Sequence, residues 1–188
     1  DEINADTVNN TLNSSTSFTY NAQVPLEGLN NISNSTGTSA TGTWYPSGST
    51  AVPSPKTANG TDVIAIRMAD ASSSIFINQE MPNTSAVLQV NDVTGLNSGD
   101  IIMVSDCSST DIMQLTLVMT SALSLQHNAG SGTPGNSTQK LSKSYSPSGN
   151  GTRVMKFMTR QYFIAKGASG NPALWRQDNT ATAVELVD

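Results

Sequence analysis

Residues 99–118 read Gly-Asp-Ile-Ile-Met-Val-Ser-Asp-Cys-Ser-Ser-Thr-Asp-Ile-Met-Gln-Leu-Thr-Leu-Val. Two apolar runs, 101–107 and 111–118, are separated here by a short polar connection. Runs of this length with β-branched residues are typical of strands, and a connection this short joins antiparallel neighbours. The stretch therefore predicts a β-hairpin.

Further strand candidates lie on both sides of this hairpin. They are rich in Val, Ile, Leu, Phe and Tyr and are bounded by Gly, Pro, Asn or Ser. The candidates are residues 62–68, 74–77, 86–90, the second half of 153–165, 173–176 and 182–187. We predict a mainly β or α+β fold with antiparallel sheets, short strands and long polar loops.

The chain length of 188 residues suits one globular domain over residues 1–188. Residues 1–60 are predicted to form a polar, loop-rich region, and residues 61–188 a β-rich core. The chain begins at Asp1 without an initiator methionine, and it ends within an apolar alternation. We therefore expect that both ends have been trimmed.

Small neutral polar residues dominate the composition. The chain has 26 Ser, 22 Thr and 18 Asn, whereas only 12% of its residues are charged. Ser, Thr and Asn compete with helical backbone hydrogen bonds, which disfavours a helix bundle. A pI of about 4.6 disfavours a generally basic nucleic-acid-binding surface. The apolar runs and a net charge of only −5 argue against wholesale disorder.

Charge is unevenly distributed along the sequence. Residues 1–139 carry two basic and eleven acidic side chains, and residues 140–188 carry seven basic and three acidic ones. Such a division could let copies or relatives stack head to tail. It could equally reflect two separate surface regions without a partner, and both interpretations stay open.

Enzymatic chemistry is not indicated. His127 is the only histidine, and no serine has the spacing of a nucleophile elbow. One Cys and one His do not make a zinc site, and no phosphate-binding glycine motif occurs. We predict no catalytic residue, cofactor, metal or small-molecule substrate, and we expect His127 to be a solvated loop residue.

Several other side chains have two interpretations. Cys107 is either a small buried residue or one half of a disulfide whose partner lies outside this chain. Arg153, Lys156 and Arg160 form either a solvated face or a weak contact with DNA. Trp175 is predicted to fill the core under the last hairpin.

The block 99–107 followed by 111–116 resembles the "GD-apolar-SDC…D-I-F-Q-V-T" signature of PilW-type minor pilins of type IV pili. Tyr-Phe-Ile-Ala at 162–165, Gly-Asn-Pro-Ala-Leu-Trp-Arg at 170–176 and Val-Glu-Leu-Val at 184–187 are similar to the C-terminal pattern of that family. The run Gly-Thr-Asp-Val-Ile-Ala-Ile-Arg at 60–67 is similar to another of its strands. The matching blocks cover roughly residues 60–188.

The resemblance implies the head of a non-enzymatic minor pilin that takes part in pilus assembly, priming and the tip complex. It implies a preceding apolar helix, absent from this chain, and a cysteine near that helix as the partner of Cys107. Asp62, Asp106 and Trp175 would then be structural. Where the family continues beyond position 188, this chain stops.

The partners implied are other minor pilins, the major pilin and a pilus-tip adhesin, with nucleic acid possible only through pilus-mediated uptake. The protein would reside in the inner membrane, through the missing helix, and the periplasm before assembly, and on the cell-surface pilus afterwards. The alternative is an extracellular, adhesin-like β module that recognises a surface ligand or DNA directly.

Overall fold

The structure is a computed structural model that describes residues 8–33, 44, 55–130, 132–147, 151–179 and 181–187. All regular secondary structure in these ranges is β, which confirms the mainly β expectation. No helix in these ranges is long and apolar enough to cross a membrane.

The described strands are numbered in chain order. They are β1 Val8–Asn10, β2 Leu26–Ile32, β3 Thr61–Phe76, β4 Leu88–Gln89, β5 Ile101–Ser105, β6 Thr110–Gln114, β7 Leu117–Met119, β8 Ser124–Gln126, β9 Arg153–Lys166, β10 Pro172–Asp178 and β11 Val184–Val187.

The hairpin predicted within 99–118 is confirmed, because β5 and β6 pair antiparallel from Ile101↔Gln114 to Ser105↔Thr110. The second predicted run is divided, because Leu115 and Thr116 separate β6 from β7. Both strands of the hairpin are almost wholly buried. This burial explains the continuous apolar run of β5, since a strand covered on both faces does not need polar residues at alternate positions. In β6 the buried side chains include the polar Asp111 and Gln114.

Two strands are longer than the sequence predicts. The candidates 62–68 and 74–77 are parts of one strand, β3, because the small residues between them include no Gly or Pro to break it. Residues 153–165 are strand throughout, so only the second half of β9 was anticipated. Its burial alternates from Phe157 to Ala165, as expected for a half-covered strand.

The chain is organised as two compact units, each made of separate segments. The first unit comprises Asp1–Ser15 and Ala69–Phe157, and the second comprises Thr16–Met68 and Met158–Asp188. The change of composition near residue 60 therefore falls inside the second unit. Nine acidic and four basic residues belong to the first unit, and five of each to the second. The division of charge along the sequence is thus not a division between acidic and basic units.

In the first unit, β1 pairs parallel with β6, and β5 pairs antiparallel with both β6 and β9. A second, three-stranded sheet has the order β4-β8-β7. Fifteen buried side chains, including Ile102, Met113 and Tyr145, form the core of this unit.

In the second unit, β2 pairs with β3, β3 with β9, β9 with β10 and β10 with β11. Leu29, Val63 and Phe163 belong to its core, and Trp44 packs on Phe163 with ring centroids 5.0 Å apart. The final hairpin is confirmed, with Trp175 opposite Phe163 in β9 and opposite Glu185 in β11.

Candidate functional site

The tip of the β5–β6 hairpin is organised by the carboxylate of Asp106. Its Oδ1 atom accepts hydrogen bonds from the backbone N–H groups of Ser108 and Ser109, each at 3.0 Å, and from the Ser108 hydroxyl at 2.8 Å. Its Oδ2 atom accepts one from Lys143 Nζ at 2.5 Å. An aspartate that accepts hydrogen bonds from the next residues stabilises a tight turn. This contact set fits the structural role expected of Asp106.

These contacts also set the ionisation of Asp106. Partial burial alone would raise its pKa, but the hydrogen bonds from Lys143, Ser108 and Ser109 outweigh that effect and hold the pKa well below its usual range. The turn therefore keeps its anionic cap at a pH where a free aspartate is protonated.

Cys107 lies at the outermost part of this turn with φ at +68°, in the left-handed region. Its side chain is exposed, so the interpretation of Cys107 as a small buried residue is wrong. The side chains of β5 are buried, but the strand ends at Ser105. Cys107 belongs to the turn that follows, and this turn lies outside the core. The pairing of Cys107 with a cysteine outside this chain stays a prediction.

Asp111, directly after the turn, is completely buried in β6. Its carboxylate accepts hydrogen bonds from Asn9 Nδ2, the Ser142 backbone N–H (2.9 Å), the Ser142 hydroxyl (2.6 Å) and the Tyr145 hydroxyl (2.7 Å). Burial, followed by donation to Asp111, raises the pKa of Tyr145 far above its usual range. Sequence reasoning missed this cluster, because its members are up to 136 positions apart, counted from Asn9 to Tyr145.

His127 is only 1% exposed, so the prediction of a solvated loop histidine is wrong. Its Nε2 atom lies 3.0 Å from the carbonyl oxygen of Ala86 and donates to it in the neutral tautomer, while the buried Nδ1 atom has no hydrogen-bond partner among the described residues. Burial lowers the pKa of His127, and the Ala86 hydrogen bond and the charge of Asp111 oppose this only partly. The loop that carries His127 is polar, but it folds back over the core of the first unit.

We expect the stability of the protein to fall as the pH drops from about 6.5 towards 5. The unfolded chain takes up a proton on His127 near pH 6.5, and the folded chain resists this, at a cost of up to about 1.4 kcal/mol per pH unit. Urea unfolding at several pH values measures this slope. Because His127 is the only histidine, His127→Gln is expected to flatten the slope in this window. An unchanged slope in that variant would contradict the assignment.

Three of the four basic residues of β9, namely Arg153, Lys156 and Arg160, each have a local partner. Lys156 pairs with Asp100 at 2.7 Å, Arg160 pairs with Asp178 at 3.0 Å, and Arg153 lies over the ring of Phe76. Two of the three charges are thus neutralised by carboxylates. This arrangement gives no support to a joint contact with DNA.

Trp175 is half-buried and packs against the core of the second unit, which agrees with its predicted place under the last hairpin. Its Nε1 atom is buried and has no hydrogen-bond partner in the part of the chain that the structure describes. An unpaired donor of this kind costs stability, so Trp175 contributes through its ring rather than through its polar atom.

Arg67 is the last residue of the block 60–67 that is similar to a minor-pilin strand. It is a further buried charge, which the sequence patterns did not predict. It is 4% exposed, and Nε donates to the Phe18 carbonyl at 3.0 Å and Nη1 to the Val24 carbonyl at 2.5 Å. Nη2 donates to Glu27 at 2.6 Å. The guanidinium thereby holds the segment 18–27 against β3.

An open groove of about 500 Å³ lies on the second unit and crosses β2, β3, β9 and β10. Its residues include Gly28, Asp62, Ile64, Tyr162, Ile164 and Leu174. Asp62 is exposed and accepts a hydrogen bond from the Asn31 backbone N–H at 3.0 Å, and it has no ion pair among the described residues. Sequence analysis marked Asp62 as structural but did not predict the groove, which depends on the register of four strands.

The described part of the chain contains no group of three or more His, Cys, Asp or Glu side chains that could hold a metal ion. No protein-family model, curated protein or solved structure matches the chain.

Proposed function

We propose that the chain is the head of a minor pilin, a non-enzymatic structural subunit of a type IV pilus. The supporting observation is that the blocks that carry the resemblance fall on paired strands. The Gly-Asp…Ser-Asp-Cys block and its continuation make up the β5–β6 hairpin. Tyr162 and Phe163 of one C-terminal block pair with Arg176 and Trp175 of the next. Blocks that pair with each other as neighbouring strands are what a common pilin-like head would require.

In this proposal the partners are other minor pilins, the major pilin and a tip adhesin. The protein is held in the inner membrane by a preceding helix before assembly and is exposed on the pilus afterwards. The β-rich head docks on neighbouring heads, and strand edges and surface charges select the neighbours. Catalysis has no part in this role.

The exposed thiol of Cys107 is the position from which a disulfide to a segment outside this chain would form. The turn around it is fixed by Asp106 and Lys143, so the sulfur is presented from a stable hairpin. Such a bond requires an oxidising compartment, which the periplasm provides.

Deletion of the gene in the organism that encodes it tests the proposal. Surface pili, counted by electron microscopy and by pilin content after shearing, should decrease strongly and return with the wild-type gene. A Cys107→Ser complement distinguishes the disulfide from the role itself: it should lose the mobility change on non-reducing gels. Normal piliation in the deletion strain would overturn the proposal.

The open groove favours a second candidate, an adhesin-like β module that recognises a surface ligand directly. The two candidates differ in the partners that they require, because the adhesin needs no pilus partner. Loss of adhesion in cells that lack this protein but keep normal pili would favour the second candidate.

A further inference from the structure

The groove on the second unit is lined mainly by apolar residues on the open face of the sheet, together with the polar Asn30 and Asp62. Gly28 is opposite Ile64 between β2 and β3, and Leu174 is opposite Ile164 between β10 and β9. Their sequence neighbours Leu29, Val63 and Phe163 are buried in the core. Since side chains alternate along a strand, the groove residues belong to the other face.

This face is exposed although it is apolar. Ile64 is 43% exposed, and Tyr162, Ile164 and Leu174 are partly exposed. Four neighbouring strands span about 15 Å at their usual spacing. These apolar side chains lie together in the groove, where one partner segment can contact all of them.

Gly28 gives the groove its depth. A Cβ atom placed there would have the Val63 carbonyl oxygen, at 4.0 Å, as its nearest neighbour, so the space above the glycine is open. The φ angle of Gly28 is outside the left-handed region, so the backbone does not require glycine. A side chain at position 28 would therefore fill the groove without straining the backbone.

The charge at the groove is a carboxylate. Asp62 is the only charged residue among those that line the groove, and it has no ion pair among the described residues. Arg160 and Arg176, further along β9 and β10, share the carboxylate of Asp178 at 3.0 and 3.5 Å. An uncompensated carboxylate beside an apolar surface attracts a cationic group that is joined to an apolar one. An anionic lipid head group or a nucleic-acid phosphate has no positive charge with which to pair with Asp62.

We propose that this groove binds a peptide segment of a partner protein in which bulky apolar side chains are followed by Lys or Arg. The apolar side chains occupy the space above Gly28 and against Ile64 and Leu174, and the basic side chain pairs with Asp62. The site is independent of the pilus assignment, since it rests only on the sheet face.

Selection from a phage library of random peptides of about eight residues, long enough to cross the four strands, tests the proposal. The wild-type chain should enrich sequences with bulky apolar residues and Lys or Arg by about tenfold over Gly28→Leu, in which the new side chain fills the groove. Asp62→Asn should keep the apolar preference and lose the basic one. Leu117→Ser, an exposed apolar site in the first unit, is the matched control and should select like the wild type.

Circular dichroism and thermal melting establish that each variant is folded, and Ile64→Ser replaces Gly28→Leu if the latter is not. Equal enrichment on wild type and on a folded groove variant would overturn the proposal. Dimerisation of the wild type in sedimentation experiments that Gly28→Leu abolishes would assign the groove to a second copy and would also overturn it.

Discussion

Replacing Asp111 by alanine is expected to destabilise the protein by about 4 kcal/mol, because it leaves several buried donors without an acceptor. Asn9, the Ser142 backbone and hydroxyl groups and the Tyr145 hydroxyl all donate to this carboxylate. Water cannot replace it easily, because Asp111 has no exposed surface. For a chain of this size the loss corresponds to a decrease in Tm of roughly 8–16 °C, which calorimetry measures.

Asp111→Asn is the informative companion variant. Its remaining oxygen can take the place of Oδ1, which accepts from the two N–H donors, Asn9 and Ser142. Its amide can face the Ser142 and Tyr145 hydroxyls, which can rotate to accept. We expect a loss of only about 1 kcal/mol. Similar losses for Asn and Ala would contradict this account, and Glu80→Ala, at an exposed position, is the control for removing a carboxylate alone.

The second large effect is expected at Arg67. Arg67→Met keeps much of the side-chain volume but removes the donors to the Phe18 and Val24 carbonyls and to Glu27. We expect a loss of about 3 kcal/mol, because the guanidinium is buried and its partners lose a charged donor. Limited proteolysis should then cut within residues 18–27 earlier than elsewhere in the second unit, since that segment loses its anchor.

Glu27→Gln separates the ion pair from the carbonyl contacts. The Glu27 side chain is 30% exposed, so water screens its charge and the variant should lose less than about 1 kcal/mol. If Glu27→Gln destabilised the protein as much as Arg67→Met, the ion pair rather than the carbonyl anchoring would be the source of stability.

The β content and the main hairpins could be predicted because they depend on local patterns. The apolar runs of β5 and β6 enclose a short polar turn, and the turn at 167–172 precedes β10. The length of β3 could not be predicted, since its middle residues have little strand character by composition. What extends it is the absence of any break together with pairing to β2 and β9.

The site residues, too, could be predicted only where their contacts are local in the sequence. Asp106 could be assigned to a turn, because its partners Ser108 and Ser109 are two and three positions away. His127 was placed in solvent because its neighbours are Gly, Ser and Asn, and only the tertiary fold buries it beneath the Ala86 carbonyl. The sequence around a residue indicates its local hydrogen bonds, whereas its burial depends on segments that are distant in the sequence.

The pairing of β1 with β6 has a consequence for how the chain reaches its folded state. Val8 is opposite Thr110, so the first strand leaves the ribosome about a hundred residues before its partner does. Closing so long a loop costs entropy that no local contact offsets, and non-local pairing of this kind slows folding. We expect β1 to dock as a late step, and until then the buried carboxylate of Asp111 lacks its Asn9 donor.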